Sequence, residues 1–255
     1  MDDLIVGGND FAALEAFKAY VCAYFKMKDM GPLKYFLGIE VARSVSRLFL
    51  CQQKYTLFII SEACLLGSKP ASFPVEQNRR LALGIGVFLD DPEPYWRLVG
   101  RVIYLSVTRP DLAYLVHILS RFMQSPHINH WEAALRVIRY LKGTHGQGIL
   151  LWADSDLTLA GWCDSGWAAC PLTCRSLTGW LVFLSASPIS KKTKKQATVP
   201  RSSAEAEYFS MAAVTCDLKW LKGLLLNLGI HHPIAIRLFC DSQYALHLAK
   251  NHVFS

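Results

Sequence analysis

Two aspartates and a glutamate in the last third of the chain have the residue types and spacing that metal-assisted chemistry needs. Asp164 follows the alternating residues Leu157, Leu159, Gly161 and Cys163, and Asp241 follows Ile234, Ile236, Leu238 and Cys240. Alternation over this length predicts a half-buried strand. Each carboxylate is therefore expected at a strand end, held rigidly yet open to solvent at the sheet edge. If the two strands are neighbours, the carboxylates converge. Converging hard oxygens repel one another unless cations lie between them, which points to Mg²⁺ or Mn²⁺ rather than zinc.

A third ligand is expected from a helix, where Glu205 and Glu207 compete. Met211, Val214, Leu218, Leu221, Leu225 and Leu228 recur at three- and four-residue spacing, the stripe of a long helix lying on one sheet face. Ser202 and Glu205 have the spacing of a capping box, which accounts for Glu205. Glu207 lies four residues before Met211 and so stands on the buried stripe, with Glu205 about 200° away around the helix. A carboxylate on that face needs a charge partner, and a metal supplies one. Asp2 and Asp3, ahead of Leu4-Ile5-Val6 and Gly7-Gly8, read from spacing alone as a solvated N-terminus.

Lys191, Lys192, Lys194, Lys195 and Arg201 lie between the second strand and the helix. A run of this kind is either a solvated loop or a contact for phosphates, and the second reading applies where a neighbouring site acts on nucleic acid. The whole chain carries 27 Lys+Arg against 20 Asp+Glu, a net charge of +7.

The elements that must position these groups follow from the hydrophobic period. Residues 1–70 read as strand Leu4–Val6, helix Phe11–Phe25, and apolar runs Leu33–Val41 and Leu48–Cys51 around a polar turn. Residues 71–94 carry Pro74, Pro92 and Pro94 and have a linker-like composition. Tyr95 to Lys142 turns helical, with Asn129-His-Trp-Glu132 as the cap of a helix stopped at Gly143. From Leu150 the period changes again, to strands over Leu157–Asp164, Thr178–Leu184 and Ile234–Asp241 with the long helix among them.

The chain has 255 residues, 52% hydrophobic and 18% charged, a globular composition. Mean hydropathy is +0.23, yet Lys, Arg, Asp, His or Pro interrupts every apolar stretch before the roughly 18 residues of a membrane span. No transmembrane helix is expected. Carboxylates stand where a secretory signal carries positive charge, so the chain is expected inside the cell, in the cytoplasm or nucleus. The eight cysteines contain no Cys-x-x-Cys pair, and Cys163, Cys170 and Cys174 have no histidine at zinc spacing; they read as reduced, structural thiols.

Several longer motifs, in order, resemble the copia-type LTR retrotransposon Pol polyprotein of plants. Asp2-Asp3-Leu-Ile-Val is similar to the second half of the reverse transcriptase Tyr-x-Asp-Asp motif. Phe25-Lys-Met-Lys-Asp-Met-Gly-Pro-Leu-Lys-Tyr-Phe-Leu-Gly-Ile-Glu40 resembles the stretch leading into the primer-grip hairpin. Leu98-Val-Gly-Arg-Val-Ile-Tyr-Leu105, Thr108-Arg-Pro-Asp111 and Arg139-Tyr-Leu-Lys-Gly-Thr144 are similar to the thumb and connection. Gly161-Trp-Cys-Asp-Ser165, Ser202-Ser-Ala-Glu-Ala-Glu-Tyr208 and Cys240-Asp-Ser242 resemble the acidic blocks of the attached RNase H domain.

The resemblance implies an α+β and α/β architecture in three parts. These are the end of a reverse transcriptase palm with a primer-grip-like hairpin over 1–70, a helical thumb and connection over 71–150, and a truncated RNase H-like mixed sheet with helices over 151–255. It carries over Asp164, Glu207 and Asp241 as catalytic ligands of Mg²⁺ or Mn²⁺, and Asp2 and Asp3 as former polymerase carboxylates. It implies an RNA/DNA hybrid or other nucleic acid as partner, together with an intact Pol protein, and no membrane. By the same comparison the chain starts inside the Tyr-x-Asp-Asp motif and ends before a further acidic block and helix, so polymerisation is not expected. Departures from the family pattern include Gly166 within Asp164-Ser-Gly-Trp-Ala168 and Cys174 within Thr173-Cys-Arg-Ser176. Two functions stand side by side: residual metal-dependent cleavage of RNA in hybrids, or a catalytically dead nucleic-acid-binding remnant or decayed product without function.

Overall fold

A computed structural model describes residues 3–75, 86–170 and 173–251, and it contains two small sheets and two apolar cores. The first sheet begins with β1 (Tyr35–Phe36) and β2 (Ile39–Arg43), joined at Leu37 and Gly38, whose φ values are 45° and 78°. That two-residue turn breaks the apolar run expected to continue from Leu33 to Val41. Positive φ at both central residues gives the twist that antiparallel strands need. Antiparallel β3 (Arg47–Cys51) follows, and β4 (Gly148–Trp152) pairs with it, Cys51 opposite Gly148. A Cβ on Gly148 would stand 2.2 Å from the Leu50 carbonyl oxygen, so only glycine admits this close approach. The change of period near residue 150 therefore falls inside a strand that belongs to the first sheet.

Helix α1 (Phe11–Tyr24) is capped by Asp10, whose Oδ1 accepts from Ala13 N–H at 3.0 Å, and none of its residues is buried. The strand expected at Leu4–Val6 does not form. A strand needs a paired edge, and among the described residues these three pair with nothing and are 55%, 48% and 38% exposed.

The first core is helical. Helices α2 (Gln53–Glu62), α3 (Glu93–Leu105), α4 (Ala113–Ser120) and α5 (Ile128–Gly143) bury Ile60, Val99, Leu115 and Ile138 against one another. Helix α5 begins one residue before the expected cap at Asn129. His127 is the N-cap, and its backbone N–H donates to His130 Nδ1 at 3.0 Å. The motifs around Arg109 and Arg139 meet here. Arg109, 1% exposed, donates to both oxygens of Asp111 (2.9 and 2.7 Å), to the Thr144 carbonyl and to Thr144 Oγ1 (both 2.9 Å), while Tyr140 donates to Asp111 at 3.0 Å. Burial pushes the Asp111 carboxyl up, but the Arg109 hydrogen bonds and charge, with Tyr140, outweigh it and hold the group below the usual range.

The second sheet has the order β7-β6-β5-β8. Strands β5 (Leu159–Gly166), β6 (Leu177–Leu184) and β7 (Ser187–Lys195) form an antiparallel meander. The chain then crosses through α6 (Ser203–Asn227) to β8 (Arg237–Phe239), which lies parallel to β5, and ends in α7 (Gln243–Lys250). Helix α6 lays Val214, Leu218, Leu221 and Leu225 on Leu159, Cys163, Trp180 and Val182. Gly161 lets it approach: a Cβ there would meet Leu218 at 3.1 Å. The stripe departs from expectation at its ends, where Ser210 rather than Met211 is fully buried and Leu228, the C-cap, is 69% exposed. No described helix is long and apolar enough to cross a membrane.

Candidate metal centre and nucleic-acid interface

The expected neighbours are neighbours. Strands β5 and β8 pair in parallel as far as Trp162 opposite Phe239, where β8 ends, and Asp164 and Asp241 each follow two residues beyond that last pair. Adjacent strands lie roughly 4.8 Å apart, so the two carboxylates share one end of the sheet. Asp164 does not end its strand as expected. Strand β5 runs on to Gly166 because β6 continues alongside, with Asp164 opposite Gly179 and Ser165 opposite Thr178. Both aspartates are exposed and line one cavity of about 550 Å³ with Trp162, Leu181 and Phe239.

Glu207 reaches this place from α6. Ser202 caps the helix, its Oγ accepting from Glu205 N–H at 3.1 Å, and Glu205 Oε2 accepts from Arg201 N–H at 2.6 Å. The expected capping box forms only in half, since Glu205 takes the Arg201 N–H rather than the Ser202 N–H, yet the helix cap still occupies Glu205 and leaves Glu207, about 200° around, to face the sheet. Glu207 is 6% exposed, and its Oε1 accepts from Ser165 N–H at 2.9 Å. Burial pushes its carboxyl above the usual range, the Ser165 N–H opposes this, and the charges of Asp164 and Asp241 push it further up. Among the described residues no Lys or Arg forms an ion pair with Asp164, Glu207 or Asp241.

One candidate ligand was missed by sequence reasoning, and the expected ligand Asp164 stands outside the group it forms. Cys240, Glu207 and Asp241 present ligand atoms within 4.8 Å of one another, and the Cys240 thiol donates to Glu207 Oε2 at 3.7 Å. Its signal was adjacency: it directly precedes Asp241 in the alternating segment, but an apolar reading of cysteine assigned it to the strand. Gln196 was missed as well. Its Nε2 donates to Thr178 Oγ1 (2.9 Å), the Ala206 carbonyl (2.9 Å) and Ser165 Oγ (3.3 Å), tying α6 to the strands at the level of Glu207.

The basic run is divided. It forms the edge strand β7 rather than a loop, so successive side chains point to opposite faces. Lys192 and Lys194 are exposed on the α6 side, Lys192 over the Trp180 ring at 5.5 Å, and Arg201 is exposed before the helix. Lys191 and Lys195 face the helical layer and are half-buried. Lys191 Nζ has no hydrogen-bond partner, and burial pushes its ammonium down to about 8 against the pull of Asp111. Asp2 lies outside the described residues, and Asp3 is exposed in an irregular segment.

Residues 1–77 match the family described as reverse transcriptase (RNA-dependent DNA polymerase). Over its whole length the chain is 40% identical to the retrovirus-related Pol polyprotein from transposon RE2 of Arabidopsis thaliana and 38% identical to that from transposon RE1, covering 17% of each. It is also 37% identical to an uncharacterized mitochondrial protein of the same plant, with 86% of this chain and 91% of that protein aligned. No solved structure matches. A reverse transcriptase-related α+β segment with these motifs is therefore the class of protein at hand. The chain belongs to the Pol polyproteins of copia-type retrotransposons, and it spans about one-sixth of the length of the Pol relatives it matches.

Proposed function

We propose that residues 151–255 act as an RNase H-type unit that cleaves the RNA strand of an RNA/DNA hybrid, with Asp164, Glu207 and Asp241 holding Mg²⁺ or Mn²⁺. One observation carries this reading. Helix α6 brings a buried Glu207 within ligand reach of Asp241, and Asp164 lines the same cavity as Asp241. The residues suit the ion: Glu207 and Asp241 present oxygens within ligand reach of each other, Asp164 lies near enough for its charge to be felt at Glu207, and the buried Glu207 carboxyl is raised by burial and by both aspartates. When bound, divalent metal activates the attacking water and stabilises the departing 3′ oxygen. The chain's own part is positional. Ser165 N–H fixes one oxygen of Glu207, Gln196 ties the helix to β5 and β6, and the strand pairing sets the spacing of the aspartates.

On this reading residues 1–70 are the end of a palm, 71–150 a thumb and connection, and polymerisation is not assigned to the chain. The partners are a hybrid duplex and an intact Pol protein. The eight free cysteines suit a reducing compartment, the cytoplasm or nucleus. A second reading, binding without chemistry, rests on the exposed Lys192, Lys194 and Arg201 beside the start of α6. The test is cleavage of an RNA/DNA hybrid with and without Mg²⁺. Asp164→Asn and Asp241→Asn should abolish it and Glu205→Gln should not. A chain that binds hybrid but never cuts it, with metal present, supports the second reading instead.

A further inference from the structure

We propose that Cys240, Glu207 and Asp241 bind one thiophilic divalent cation, of the Zn²⁺, Co²⁺ or Cd²⁺ class, through one sulfur and two carboxylate oxygens. A tetrahedral ion with a metal–sulfur distance of about 2.3 Å and metal–oxygen distances of about 2.0 Å holds sulfur and oxygen roughly 3.5 Å apart. The Cys240 Sγ to Glu207 Oε2 separation is 3.7 Å, and all three ligand atoms lie within 4.8 Å of one another. The buried oxygen is already aimed. Ser165 N–H pins Oε1, which turns Oε2 toward the thiol. Asp241, exposed at the mouth of the cavity, supplies the third ligand, and the cavity leaves the fourth position to water.

The ligand set has a chemical consequence. A site of three carboxylates prefers hard ions, whereas a thiolate in place of one oxygen shifts the preference to softer ones. Binding replaces the Cys240 S–H bond with a metal–sulfur bond and releases the proton to solvent. Cys163 is a neighbour outside the group: its thiol donates to the Phe239 carbonyl at 3.6 Å and also contacts Cys240. The site shares Glu207 and Asp241 with the proposed magnesium site, so a soft ion excludes magnesium, but it does not require hydrolysis.

The experiment is a Co²⁺ titration of the full reduced chain, read by the thiolate-to-cobalt charge-transfer band. One equivalent should produce the band. Cys240→Ser should remove it, Asp241→Asn should keep it while weakening affinity by at least the roughly tenfold that even an outer-shell change costs, and Cys170→Ser and Cys174→Ser should leave it unchanged. No band, a band surviving in Cys240→Ser, or a band lost with Cys170 or Cys174 overturns the proposal. If Cys240→Ser does not fold, unchanged affinity in Asp241→Asn, which alters an exposed side chain, overturns it alone. Asp164→Asn should retain the band. A chain that binds cobalt but does not cut hybrid refutes only the nuclease reading, and one that cuts with magnesium but gives no band refutes only this one.

Discussion

Lys191→Met separates a phosphate contact from a structural lysine. Lys191 Nζ is buried without a hydrogen-bond partner on the face of β7 that meets the helical layer, and its ammonium is pushed down to about 8. An unfolded lysine titrates near 10.4. Between these values the unfolded chain holds more protons than the folded one, so stability should rise as pH climbs from about 8 to about 10.4. Below pH 8 the folded state bears the full cost of the charge. Replacing an uncompensated, half-buried charge with a side chain of similar length removes that cost; discounted for partial exposure, the gain should be about 1 kcal/mol at pH 7. For a chain of this size that is roughly 2–4 °C in Tm. The assay is thermal unfolding of both proteins from pH 7 to 10.5, beside hybrid binding at several salt concentrations. The variant should be more stable at pH 7, its advantage should shrink toward pH 10.5, and its salt slope should match the wild type. A less stable variant, or a slope smaller by about one unit, would refute the assignment of Lys191 to the interior.

The exposed lysines should behave in the opposite way: Lys192→Ala with Lys194→Ala should flatten the log–log salt slope by up to ~2 units, with no change in Tm beyond about 1 °C. Mg²⁺ should raise the Tm of the wild type, Glu207→Gln should abolish that rise, and Glu205→Gln should keep it and lose at most ~1 kcal/mol of capping, read by the same melts. Arg109→Ala empties a buried position and strips the bonds to Asp111, to the Thr144 carbonyl and to Thr144 Oγ1, and should cost roughly 2–3 kcal/mol, measured by denaturant unfolding. Gly148→Ala forces a Cβ against the Leu50 carbonyl and should cost about 1–3 kcal/mol, with exchange of the β3–β4 amides accelerated in hydrogen-exchange measurements.

Local patterns were legible in the sequence. Ser202 and Glu205 mark the start of α6, and a 3.6-residue period from there puts Glu207 on the face that meets the sheet, which is where it lies. Alternation marked the strands that carry Asp164 and lead to Asp241, because period two reports which side of a strand is buried. Such patterns reach only a few residues along the chain. Pairing does not. That β5 runs on past Asp164 was set by β6 continuing beside it, and that β4 joins the first sheet was set by β3 more than ninety residues earlier. Leu4–Val6 has the composition of a strand but no edge to pair with among the described residues. The lysine run looked like one charged surface; as strand β7 it alternates, leaving Lys192 and Lys194 in solvent and turning Lys191 inward. Cys240 read as an apolar strand residue, and only the approach of α6 to the end of β8 brings its sulfur to Glu207. The residue types and the faces they occupy are thus written locally, while the distances that gather them arise from contacts between segments far apart in the chain, where the register of two strands and one helix decides the outcome.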